Sequence, residues 1–226
     1  MIAHRLFLFL CCTIYLASCA RVTNSISSVP SLSEVPGYDT DKTYSHSDEE
    51  ISREISIGGI DLYLTPYNYA RTSNYLELMF IPVEKKDEYI SEAGKAPFKV
   101  EVWVKGEKGL FSFEPLQSRY NGKQIVASVM QREGDPGRDC KSHYHYYEWQ
   151  PVDNKTSPMV ADRTRNEGKS CYSQGWIEFL IEFNDITPKP ENMFNIELYF
   201  TNTKSNKMFS QKVYFHGAKF KSVTTH

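Results

Sequence analysis

The sequence predicts an all-β protein, an antiparallel two-sheet β-sandwich of about eight or nine strands in an immunoglobulin-like or similar Greek-key arrangement. The first observation is an alternation of apolar and polar residues with a period of two, which is the period of a strand. The second is that the segments between these strands show no alternating helices, which a parallel sheet would require. The third is an aromatic content of 14%, with 15 Tyr and 13 Phe, which suits half-buried sheet faces.

Three segments, 98–105, 176–183 and 194–200, carry this alternation most clearly. In the first, Phe98 and Val100 face one way, whereas Glu101 and Trp103 face the other. Each segment has one apolar face and one largely wet face, which is typical of antiparallel rather than parallel sheets. A closed barrel is the alternative architecture.

Glycine-rich and charged segments provide the expected connections. Gly58-Gly59 separates two apolar sets that are out of phase, which predicts a β-bulge. The run 105–109 contains two glycines and predicts a hairpin between its flanking strands. Segment 84–94 is charged and poor in β-branched residues, so we expect a short helical turn there.

The first nineteen residues have the composition of an export signal. A short positive start containing Arg5 precedes an apolar stretch from Leu6 to Ala17. The four residues Leu16-Ala17-Ser18-Cys19 resemble the lipobox of bacterial lipoproteins. This resemblance implies cleavage before Cys19, diacylation of its thiol and acylation of the new amino group. The alternative is an ordinary signal cleaved after Ala20.

The composition divides the chain into three parts: a signal peptide at 1–18, a lipidated flexible tether at 19–50 and the β-sandwich domain at 51–226. The tether is predicted because this stretch is rich in Ser, contains Pro30 and Pro36, and has little hydrophobic periodicity. Acyl chains on Cys19 would hold the protein at a membrane. By resemblance to enterobacterial lipoproteins, Ala20 implies the outer membrane of the cell envelope, with the domain facing the periplasm or the cell surface.

Of the five cysteines, Cys140 and Cys171 remain after signal removal and acylation of Cys19. In an oxidising compartment, an isolated pair predicts a disulfide. It would close a loop of about 32 residues and stabilise the fold by roughly 3–4 kcal/mol on the chain-entropy model.

The segment after Cys140 contains two histidines and several aromatic residues. On a strand, His143, His145, Tyr147 and Trp149 share one face. Two histidines at this spacing can both ligate zinc or copper, but no third ligand is identifiable. The alternatives are a ligand face that stacks on sugars or partner side chains, and a simple aromatic ladder that stabilises the sheet.

Charge and motifs exclude several function classes. The formal net charge is -2 and no basic stripe is visible, so we expect no nucleic-acid partner. No nucleophile elbow, P-loop, zinc-protease or dinucleotide motif is present, so we expect neither enzymatic activity nor a cofactor. The sequence favours a lipid-anchored binding or structural module with a protein or glycan partner in the envelope. The alternatives are metal or small-ligand capture at His143 and His145, a periplasmic inhibitor or immunity-type protein, and a hydrolase.

Overall fold

The computed structural model describes residues 19–45, 48, 51–78, 81–106, 109–133, 149–153 and 176–225. Strands account for most of them, and one short 3-10 turn lies at Pro115–Gln117. The strands are β1 Cys19–Ser31, β2 Thr43–Tyr44, β3 Glu54–Ile57, β4 Ile60–Pro66, β5 Ala70–Leu78, β6 Ile81–Ser91, β7 Phe98–Gly106, β8 Phe111–Phe113, β9 Arg119–Tyr120, β10 Val126–Glu133, β11 Gln150–Pro151, β12 Ile177–Phe183, β13 Phe194–Asn202 and β14 Lys207–Thr225.

These strands form two sheets that pack face to face, which confirms the predicted all-β sandwich. One sheet has eight strands, with the main order β6-β5-β1-β14-β13-β8, while β2 pairs with β14 and β9 with β13. The other has six strands in the order β11-β10-β12-β7-β4-β3. All pairings are antiparallel except the short one between β2 and β14. The strand count exceeds the prediction because several strands span only two or three residues and because β1 lies in the stretch predicted as a tether.

The main core lies between the sheets and is dominated by aromatic rings. Phe98 of the six-stranded sheet meets Phe194 of the eight-stranded sheet edge to face, with ring centroids 5.4 Å apart. Phe179 and Phe113 make a similar contact across the sandwich at 5.0 Å. Edge-to-face geometry is favoured by the ring quadrupoles, and these contacts hold the two sheets together.

A smaller core covers the outer face of the eight-stranded sheet. It contains Val29, Tyr44, Ala218 and Phe220. It exists because β14 changes the face that it buries: Val213 and Phe215 point into the main core, whereas Ala218 and Phe220 have the opposite phase.

The predicted flexible tether over 19–50 is wrong for much of its length. Residues Cys19–Ser31 form β1, which pairs with β14 on one side and β5 on the other. Thr43–Tyr44 form β2. The serine-rich composition gives no apolar alternation that would indicate a strand, although Ser25, Ser27 and Ser28 are buried in the folded sheet.

Three local predictions are also wrong. Gly58-Gly59 is a two-residue hairpin turn joining β3 and β4, with positive φ at both glycines, rather than a bulge. The 105–109 connection is not a hairpin, because β7 belongs to the six-stranded sheet and β8 to the eight-stranded sheet. Segment 84–94 holds the strand β6 up to Ser91, where pairing with β5 outweighs weak helical propensity.

Candidate functional site

Most of the site residues predicted from the sequence lie outside the described residues. These are Cys140, His143, His145, Tyr147 and Cys171. Cys19 is the first residue of β1 and is in register with Leu78 of β5. Trp149 is half-buried and precedes β11.

Trp149 lies against the outer face of the six-stranded sheet. The guanidinium carbon of Arg132 is 4.3 Å from the centroid of its ring, which is a cation–π contact. The same guanidinium makes a bidentate ion pair with Glu178, through Nε and through Nη2 at 2.8 Å. The predicted aromatic face therefore contributes one ring to a charged network.

That network contradicts the wet face predicted for these strands. Glu178 is only 1% exposed, and Trp103, its register partner on β7, is also buried. The indole N–H of Trp103 donates to Glu101, and the Tyr67 hydroxyl donates to the other oxygen of Glu101 at 2.9 Å. The alternating pattern correctly placed Glu178 and Trp103 on the outer face of the sheet, but such a pattern cannot show that this face is covered.

The electrostatics of the network follow from its burial. Burial raises the pKa of Glu178; the hydrogen bonds from Arg132 oppose this shift and the nearby carboxylate of Glu101 adds to it. Burial, followed by the charge of Glu101, raises the pKa of the Tyr67 hydroxyl, so this group stays protonated as a donor. We interpret the network as a polar layer that is buried at Glu178 and Trp103 and reaches the surface at Tyr67, with its carboxylates hydrogen-bonded.

An open groove begins where this layer ends at Tyr67. It encloses about 620 Å³ between the β1, β5 and β6 side of the eight-stranded sheet and the end of β4. Its lining includes hydroxyl side chains, two arginines and two tyrosines: Thr23, Ser27, Arg53, Tyr67, Tyr69 and Arg71. We call it the Arg53 groove.

Arg53 crosses the groove from one sheet to the other. Its Nη2 donates to Ser27 Oγ of β1 at 3.0 Å, and its Nη1 donates to Thr65 Oγ1 of β4 at 3.4 Å. Its carbonyl accepts a hydrogen bond from the Leu64 amide at 3.1 Å. These contacts fix the guanidinium in place, so little side-chain entropy remains to be lost when a ligand binds.

Tyr67 and Tyr69 flank the groove because Asn68 between them points inward. Asn68 is fully buried and donates from Nδ2 to Ser28 Oγ at 2.8 Å. Tyr67 and Tyr69 remain 40% and 44% exposed. This loop therefore presents two amphipathic rings to solvent beside a fixed cation, an arrangement suited to binding rather than to nucleophilic chemistry.

The comparisons with known proteins identify no relative. No family model matches the chain, and no curated protein or solved structure resembles it significantly. In the part of the chain that the structure describes, no helix is long and apolar enough to cross a membrane. The same residues contain no cluster of three or more His, Cys, Asp or Glu side chains with metal-binding proximity.

Sequence reasoning missed the Arg53 groove. Thr23 and Ser27, two of its eleven lining residues, belong to the stretch whose composition predicts a tether outside the domain. The signal that was available is Tyr67-Asn68-Tyr69, an aromatic pair around a loop asparagine directly after a clear strand. Its partners come from distant parts of the chain, and only the fold brings them together.

Proposed function

We propose that this chain is an exported, lipid-anchored cell-envelope protein whose sandwich is a non-enzymatic binding module, with the Arg53 groove as its ligand site. The observation that carries the proposal is the preformed groove itself, in which a fixed guanidinium lies beside two half-exposed tyrosine rings. Such a combination of a few placed polar groups with aromatic walls is typical of binding sites.

The lipobox resemblance supports the proposed location in the cell envelope. Acyl chains on Cys19 would anchor the chain, and Ala20 favours the outer membrane, facing the periplasm or the surface. In this compartment Cys140 and Cys171 would form a disulfide. The partner is a protein or a glycan of the envelope.

Photocrosslinking in intact cells tests the binding role. A photoreactive amino acid at Tyr69 should capture a discrete partner, whereas one at Met208, which is at least as exposed but lies on β14, should not. Equal capture at the two positions, or none at Tyr69, would contradict the assignment of the groove.

Metabolic labelling with radioactive palmitate tests the anchor separately. Wild-type protein should incorporate label and fractionate with membranes, and Cys19→Ser should lose both properties because the acylated thiol is gone. Unchanged incorporation in Cys19→Ser would refute the lipobox assignment.

A further inference from the structure

We propose that the Arg53 groove recognises an acidic saccharide, a sugar chain that carries carboxylate or phosphate groups. The inference rests on the proposed function only in taking this groove as the ligand site. It adds the chemical class of the ligand, which is argued from the charge, the hydrogen-bonding capacity and the shape of the lining.

The two guanidinium groups of Arg132 and Arg53 show why the groove favours an anion. Arg132 holds the carboxylate of Glu178 in a bidentate pair, so its charge is compensated within the protein. Arg53 donates instead to two neutral hydroxyl oxygens, those of Ser27 and Thr65, among the residues that the structure describes. A guanidinium carries five N–H donors in a rigid fork, so donors remain for a planar or tetrahedral anion.

The other charges of the lining add to this preference. Arg71 contributes a second positive charge to the groove. The carboxylate in the lining, Glu92, is 3.0 Å from the ammonium group of Lys95. With two arginines and one glutamate, the charged side chains of the lining have a positive balance, which attracts an anion.

The remaining lining favours a saccharide body over a peptide. The half-exposed rings of Tyr67 and Tyr69 offer faces on which a pyranose ring can stack. Thr23 and Ser91 add hydroxyls, which both donate and accept and so match sugar hydroxyls. The volume of about 620 Å³ lies within the range usual for small-molecule sites.

A calorimetric titration of the purified full-length protein in detergent tests the proposal. The probes are a galacturonic acid hexamer for the carboxylate source, a mannose-6-phosphate oligomer for the phosphate source, maltohexaose as the neutral sugar and hexaglutamate as the acidic peptide. We expect one or both acidic sugars to bind, maltohexaose to bind at least about tenfold more weakly, and affinity to fall with added salt.

Variants then locate the binding site. Arg53→Gln and Tyr69→Ala should each weaken acidic-sugar binding by roughly tenfold or more. The control is Arg119→Gln. Arg119 is an exposed arginine on β9 that lies over a tyrosine ring, that of Tyr199 on β13, at 5.6 Å, and it is outside the groove. Because Arg53 joins the two sheets, the melting temperature of each variant is measured, and Tyr69→Ala serves as the test if Arg53→Gln fails to fold.

The outcomes separate this inference from the proposed function. Tight maltohexaose binding, hexaglutamate binding without acidic-sugar binding, or acidic-sugar binding that Tyr69→Ala leaves unchanged would each overturn the saccharide assignment. If no probe binds, the assignment is overturned as well. In these cases a partner still captured by a crosslinker at Tyr69 would leave the groove as a ligand site of different specificity.

Discussion

Gly217 occupies a position in β14 where a side chain has no room. A methyl group built on its Cα would lie 2.8 Å from the carbonyl oxygen of Pro190 and 3.0 Å from the Cα of Glu191. The same carbonyl accepts a hydrogen bond from Ser28 Oγ, and Ser28 is opposite Gly217 in register. The 190–191 turn is therefore held directly against the sheet, and its backbone would have to shift to make room for a side chain at Gly217.

Replacing this glycine should be costly. Gly217→Ala is expected to lower the free energy of unfolding by about 1–3 kcal/mol, because the new methyl group overpacks a contact made by backbone atoms. Urea unfolding measures the effect. Gly37→Ala is the matched control, since nothing lies within 4 Å of its added methyl group, and it should change stability by less than about 0.5 kcal/mol. Similar effects from the two variants would contradict the close contact.

At the scale of the element, β12 places two glutamates on one face in opposite environments. Glu178 is buried, and its pKa is raised mainly by that burial. The pKa of Glu182, four residues further along the same face, is lowered by hydrogen bonds from Lys99 and Ser128, at 2.7 Å each. Neighbouring strands thus decide the charge preference of each residue, although both belong to the same predicted pattern.

These opposite shifts predict opposite pH dependences. A raised pKa in the folded state means that ionisation of Glu178 lowers the free energy of unfolding as the pH rises above the ordinary glutamate value. The free energy of unfolding of Glu178→Gln, relative to wild type, should therefore increase toward neutral pH. A lowered pKa means that Glu182 stabilises above the ordinary value and loses this effect as the pH falls. The deficit of Glu182→Gln should therefore shrink in acid.

Urea unfolding of both variants and the wild type between about pH 3 and pH 8 measures these differences. The two variants serve as controls for each other, because they make the same chemical change on the same strand face. The difference in free energy of unfolding between variant and wild type should change with pH in opposite ways for the two variants. The same pH dependence for both would contradict the opposite pKa shifts.

The strand β1 changes how the anchor and the domain are connected. The chain enters the sheet at Cys19 itself, and β1 lies between β5 and β14 rather than at an edge. Over residues 20–26 the backbone of β1 is paired on both sides, and Val22 and Val29 are buried. If Cys19 is acylated as proposed, no flexible spacer separates the lipid from the folded sheet.

At the scale of the whole molecule, this connection predicts a defined orientation on the membrane. Ala20 is in register with Thr225 at the end of β14, so Val223 lies near the lipid-bearing end. Lys204 lies in the turn that precedes β14, up to about 60 Å away along a strand of this length. A flexible tether would let both positions approach the bilayer, whereas a direct connection keeps them apart.

Fluorescence quenching distinguishes the two arrangements. A fluorophore introduced at Val223, which is exposed, should be quenched by a quencher carried on lipid headgroups, whereas one at Lys204 should be quenched little. The Cys19→Ser protein, mixed with the same vesicles, should show quenching at neither position. Equal quenching of the two fluorophores in the acylated protein would contradict the direct connection and support a flexible tether.

The predictable part of this protein is the part specified by local alternation. The strands at 98–105, 177–183 and 194–200 follow from period two, because successive side chains of a strand point to opposite faces. The polar segment 19–31 has no such pattern, and its strand is stabilised by pairing with β5 and β14. Polar composition predicts disorder only when a segment lacks partners, and partners are not visible in one segment of sequence.

The candidate site shows the same limit. Tyr67 and Tyr69 are recognisable in the sequence as loop aromatics, but Arg53 and Ser27 meet only because two sheets close on each other. Likewise, the sequence places Glu178 and Trp103 on the outer face of their strands, and the folded chain decides that this face is buried.

The sequence alone therefore determined the all-β class and which side chains share a strand face, because both depend on residues that are close along the chain. Only the tertiary structure decided which strands are neighbours, which outer faces are covered and where the Arg53 groove opens. The physical reason is that sheet pairing and burial join residues distant in sequence, and their free energy depends on partners that no single segment contains.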